Sequence, residues 1–170
     1  MKKIFSIICL IHLLMFCSLT PSYAAQPISY SQQNYMRNQM FKMINNERRK
    51  DVRLYSPLLK SANLRAKEAS LKWSHTRPNQ TRWNTTIKKI INIKRIPHGE
   101  NLAKVTIKYK NKYSKNELNT ITKQLHQSLK KSRSHYNLMI NSKYKKVNIG
   151  FYSQIKNGKL TIVVAQHYIR

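Results

Sequence analysis

The last third of the chain constrains the fold most. "KVNIGFYSQI" and "KLTIVVAQHYI" are two β-rich runs joined through the pair Asn157-Gly158. Asn-Gly supplies the two positive-φ residues of a tight hairpin turn, so these runs predict two long antiparallel strands. Such a pair needs a covering layer, and the earlier sequence supplies helices. From about Gln32 to Arg49, Met36, Met40, Met43 and Ile44 recur at helical spacing. After a break at "DVRLYSP", Leu59, Ala62, Ala66, Ala69 and Trp73 step by three and four residues through a second helix, whose small alanines permit close approach of another layer. Ser114 and Glu117 have capping-box spacing, ahead of the stripe Leu118, Ile121, Leu125 and Leu129 in a helix ending near Lys131. Val105, Ile107 and Tyr109 alternate with Thr106, Lys108 and Lys110 and read as an extended segment with one basic face. "RWNTTIKKIINIKRIP" fits either a short helix or a loop. Helices first and in the middle, with strands late, predict an α+β fold with helices covering a sheet.

The first 25 residues carry Lys2 and Lys3, an apolar run from Ile4 to Leu19, and the small-residue pattern Ser22-Tyr23-Ala24. This is the layout of a cleaved export signal, too short and wrongly flanked for a retained span. The reading is therefore a signal peptide over 1–24, a polar lead-in over 25–35 and one domain over 36–170. The mature chain is expected outside the cytoplasm, extracellular or periplasmic, with no transmembrane segment. Cleavage removes Cys9 and Cys17, the only cysteines, so neither a disulfide nor thiol catalysis is available to the mature chain.

Charge narrows the partners. The chain has 33 Lys plus Arg against 5 Asp plus Glu. Self-repulsion on that scale opposes a compact state and favours association with anionic polymers or surfaces. For an exported protein, anionic lipid, lipopolysaccharide or a cell-wall polymer is the expected partner; nucleic acid ranks lower, since no nucleic-acid motif accompanies the charge. Candidate contacts are Lys104, Lys108 and Lys110 beside Tyr109 and Tyr113, and Lys131, Arg133, Lys143, Lys145 and Lys146 around His135. Taken singly, each cluster also reads as an ordinary solvated face.

Six stretches occur in a telling order: "INNERR", "LLKSANLRAKEA", "SHTRP", "HGENLA", "SRSHYNLMIN" and "VVAQHY". Together they resemble the bacterial branch of the CAP superfamily, the SCP-like domain shared by cysteine-rich secretory proteins, antigen 5 and pathogenesis-related proteins. The likeness runs from about Met36 to Tyr168. It implies a three-layer α-β-α sandwich with a central antiparallel sheet and a cleft into which His75, Glu100 and His135 project, these being the residues that match the family's motif positions. Gln80 and Leu129 stand where relatives have glycine and tryptophan. The "GHYTQ"-like signature and a second acid near Glu100 are absent, so the implied site is a reduced one.

Two imidazoles and a carboxylate suit zinc or another divalent ion, and equally suit a hydrogen-bonded network that fixes loops; the two can coexist. A serine hydrolase would need Ser74 or Ser134 with His75 or His135 and Glu100. The sequence favours binding over catalysis, with a metal-dependent or serine-type hydrolase as the alternative. Among the remaining candidates, His98 is expected to line a loop, His126 to lie on the surface, His167 to be a half-buried strand residue, and Arg77 with Pro78 to shape the turn after the second helix.

Overall fold

The computed structural model describes residues 27–170, so the stretch read as a signal peptide, 1–24, and residues 25 and 26 lie outside the described residues. Helix α1 spans Tyr30–Asn46, strand β1 Arg53–Leu54 and helix α2 Pro57–Leu71. A single 3-10 turn, Trp83–Thr86, precedes strand β2, His98–Lys108. Helices α3 (Lys115–Lys131) and α4 (Arg133–Ile140) follow, then strands β3 (Lys146–Lys156) and β4 (Lys159–Ile169).

The sheet order is β1-β3-β4-β2. The three long strands are antiparallel, and β1 adds two residues parallel to β3. Helices α1, α3 and α4 pack on one face and α2 on the other, which makes the three-layer α-β-α sandwich. The hairpin turns at Asn157 (φ 52°) and Gly158 (φ 68°), as an Asn-Gly pair of this kind requires.

Local sequence explains the helix starts. Ser29 caps α1 in a capping box with Gln32, so the helix begins inside the stretch read as a polar lead-in. Ser114 caps α3 in a box with Glu117. Met36, Met40 and Ile44 of α1 and Leu118, Ile121, Leu125 and Leu129 of α3 are buried against Ile149, Phe151, Ile162 and Val164 of the sheet. That interface holds most of the apolar core.

The α2 layer is thinner. Ala66 and Ala69 pack on Leu102, Val163 and Ala165, and the helix backbone comes so close to β3 that a Cβ at Gly150 would sit 2.2 Å from Ala62 and Asn63 backbone atoms. Leu58 rather than Leu59 completes the buried side of α2, and Trp73 lies beyond the helix end, 47% exposed. Helix α4 has no counterpart in the sequence pattern: it follows α3 after the single residue Ser132 and buries only Met139, so it leaves no periodic stripe to read. "HGENLA" is the first half of β2 rather than a loop before it.

Candidate functional site

In the β2–β4 ladder Glu100 lies opposite His167 and Asn101 opposite Gln166. Neighbouring strand residues point to opposite faces, so these pairs serve different layers. Glu100 and His167 face α2, where the Glu100 side chain is wholly buried.

Four hydrogen bonds converge on the Glu100 carboxylate. Arg65 of α2 donates from Nε to Oε2 at 2.9 Å and from a terminal nitrogen to Oε1 at 3.3 Å. His75 Nδ1 donates to Oε1 at 2.9 Å and His167 Nε2 to Oε2 at 3.1 Å. A carboxylate only accepts, which fixes the protonated nitrogen on each ring. Burial opposes the charged form, but the bonds from His167, His75 and Arg65 outweigh it and hold the pKa at about 2. Burial lowers the pKa of His167, which keeps that ring neutral.

The network continues outward with alternating charge. Arg65 also donates to Glu68 at 2.8 Å and to the Ser74 carbonyl at 2.7 Å. Arg77 grips both Glu68 oxygens, with its closest contact at 2.7 Å, and reaches Thr85 at 2.9 Å. Arg77 thus shapes the turn after α2, as expected, by tying it back to the helix. Within that turn Gln80 has φ 64°, the left-handed region that favours glycine. Trp83 N–H donates to the His75 carbonyl at 3.1 Å and closes the loop.

Asn101 serves the other face. Its amide donates to the His135 carbonyl at 3.0 Å and to Gln166 at 3.2 Å. Adjacent residues of β2 therefore fix two histidines from two layers, and the His75 and His135 rings stand 6.5 Å apart. Burial, then the neighbouring His75, lowers the pKa of His135. The structure brings together His75, Glu100 and His135, with His75 half exposed and Glu100 sealed beneath it.

Three histidines differ from or refine their expected roles. His167 is completely buried, not half-buried. His126 is 3% exposed rather than on the surface, with its Nε2 3.5 Å from Glu47 at the end of α1. His98 does line a loop, with Nδ1 donating to the Ile96 carbonyl and Asn84 at 3.0 Å from Nε2.

These residues do not fit a divalent ion held through Glu100. Both carboxylate oxygens already accept from Arg65, whose fixed positive charge would face the ion. Among the described residues no three His, Cys, Asp or Glu side chains gather in metal-holding geometry.

The hydrolase set takes an unexpected form. Ser74 Oγ accepts from Thr76 N–H, and Ser134 pairs with Ser132. Ser61 instead lies 3.0 Å from His167 Nδ1, so Ser61, His167 and Glu100 reproduce a serine-type relay in order. Ser61 is 4% exposed and Trp83 packs on His167 at 5.1 Å, leaving no approach for a substrate carbonyl. The hydroxyl also lies 2.8 Å from the Leu58 carbonyl, so its single proton has a structural use.

The basic residues singled out from sequence fall in three places: Lys104, Lys108 and Lys110 on β2 and just after it; Lys131 and Arg133 at the α3–α4 junction; and Lys143, Lys145 and Lys146 entering β3. Lys110 is committed to Glu117, and Lys146 lies over the Tyr55 ring at 5.1 Å.

No family model matches the chain, and no curated protein sequence matches it. Solved structures do. An extracellular protein containing an SCP domain from Bacillus anthracis strain Ames aligns over 81% of this chain at TM-score 0.52 and 15% identity; this chain spans 41% of that one. An outer surface protein from Borrelia burgdorferi aligns over 82% of this chain and 94% of its own length at TM-score 0.57 and 17% identity. The order of helices and strands, the three layers and these two likenesses agree: the chain has an SCP/CAP-like fold.

Proposed function

We propose that this is an exported CAP-like domain that binds an anionic surface of a cell envelope or host, such as anionic lipid, lipopolysaccharide or a cell-wall polymer, and does so without catalysis. The placement of the acids supports this reading best. Of the five, Glu47 pairs with Lys130, Glu68 with Arg65 and Arg77, Glu100 with Arg65 and Glu117 with Lys110. The glutamates are thus used inside the molecule's own framework, and the excess of lysine and arginine on the outside is left uncompensated. Such a field draws in anionic polymers and releases their counterions on contact, so binding weakens as salt rises.

The extracellular and outer-surface descriptions of the two similar structures, together with the export signal read from the sequence, support location outside the cytoplasm. No helix among the described residues is long and apolar enough to cross a membrane. Within this reading the Glu100 network holds the loop that follows α2 in a fixed shape.

Co-sedimentation of the mature chain with lipopolysaccharide, anionic vesicles and cell-wall polymer, at low and at high salt, tests the proposal. Binding strong at low salt and lost at high salt is expected. No binding at low salt, or binding indifferent to salt, would sink it.

A further inference from the structure

Helix α2 is shorter than the strands it covers. Fifteen helical residues reach about 22 Å, whereas an eleven-residue strand reaches about 36 Å. The sheet face that carries Glu100 at one end is therefore bare at the other. There a depression of about 310 Å³ is lined by Leu71, Trp73, Lys104, Thr106, Gln154 and Thr161, among others. Its chemistry is unlike that of the packed layers. Leu71 and Trp73 are 72% and 47% exposed, large apolar groups in water at the helix end. The Lys104 ammonium sits 4.5 Å from the centre of the Trp73 ring, held by the negative face of the indole, and no ion pair joins it to a carboxylate among the described residues. The floor offers the Thr106 and Thr161 hydroxyls, 3.0 Å apart, and the Gln154 amide.

We propose that this depression binds an acidic sugar unit of an anionic glycan, with the indole ring against the sugar's C–H face and Lys104 on its carboxylate or phosphate. This deepens the anionic-surface reading and rests on it. A hydroxyl-rich ligand uses the polar floor, whereas an acyl chain would bury the Gln154 amide without a partner and leave the Thr106 and Thr161 hydroxyls only each other, at a cost. A concave site with one apolar wall and a few placed polar groups is the form of a small-ligand site.

The probe is a purified oligogalacturonate, titrated calorimetrically onto the mature chain in 0.15 M salt, with a neutral oligosaccharide of equal length and anionic vesicles alongside. Trp73→Ala and Lys104→Gln should each weaken oligogalacturonate binding by about tenfold or more. Trp73→Phe should recover most of it, and Lys88→Gln with Lys89→Gln, exposed and away from the depression, should leave it near wild type. Circular dichroism establishes that each variant folds. If wild type and both depression variants bind alike, or if the neutral sugar binds as well, the site assignment is wrong while the general reading stands. If the two substitutions abolish vesicle binding and spare the glycan, the face is a lipid surface and this assignment is overturned. A wild-type chain that binds no anionic polymer at low salt overturns the general reading itself.

Discussion

Glu100 and Glu117 have the same acidity and opposite settings. Both carboxyls are held at about pKa 2. Glu117 owes this to Lys110 first and then to the Ser114 backbone and hydroxyl, all in open water at the start of α3. Glu100 must first overcome its own burial, and does so only because Arg65, His75 and His167 all donate to it. An exposed pair is replaced by water at little cost when broken, whereas a buried one strands a charge. Equal pKa values therefore hide unequal dependence of the fold on each residue.

Removing the cation from each site should separate them. Arg65→Ala strands the buried Glu100 charge and should cost roughly 3–5 kcal/mol in urea unfolding, a large part of the stability of a domain this size. An unchanged unfolding midpoint would show that solvent reaches Glu100.

Acid sharpens the contrast next. The folded pKa of His167 lies below its unfolded value of about 6.5, so its contribution is complete above that pH and declines as pH falls below it. That of Glu100 is complete above about 4.3 and is lost as pH falls toward 2. Melting temperature should therefore drop in two stages between pH 7 and pH 2. The drop should persist in 1 M salt, which screens Lys110 and Glu117 but not the buried pair. A melting temperature flat from pH 7 to pH 3 would contradict the buried network.

A smaller effect is expected from Ser114→Ala. It removes one half of the α3 capping box and should cost about 1 kcal/mol, with the Glu117 pKa rising in an NMR titration. At the bottom of the scale, zinc should leave the melting temperature unchanged at neutral pH, because Glu100 already holds a cation in Arg65. A zinc-dependent rise abolished by His75→Ala would show instead that the two histidines suffice as ligands.

What could be read from sequence divides along similar lines. The α1 and α3 stripes, the Ser114–Glu117 box and the Asn157-Gly158 turn are local patterns, and each appears where its spacing places it. His75, Glu100 and His135 were found only through the order of several motifs, since no local spacing joins them. Ser61, Arg65 and Glu68 are masked in the sequence by the alanine stripe of α2, which by itself accounts for a packed helix. Yet Ser61, Arg65 and Glu68 step by four and three along the same helix, and Ser61 and Arg65 sit among its buried residues. A charged residue on a buried stripe needs a partner, and that was the available signal. His167 was placed on a strand correctly, but alternation alone says nothing of which layer covers each face. The exposure of Trp73 turns on where α2 ends relative to the strands, a length that motifs do not carry.

Strand β4 is bonded along its whole length on both sides, by β3 across a two-residue turn and by β2 across contacts such as Thr106 with Thr161, 55 residues apart. Its amides bond alternately to the two neighbours, so exchange along the whole strand needs both to leave, which amounts to unfolding the domain. The two residues of β1 rest on β3 alone. In hydrogen exchange the molecule should then show a graded clock, with β1 opening locally and fast and β4 reporting the global free energy of unfolding.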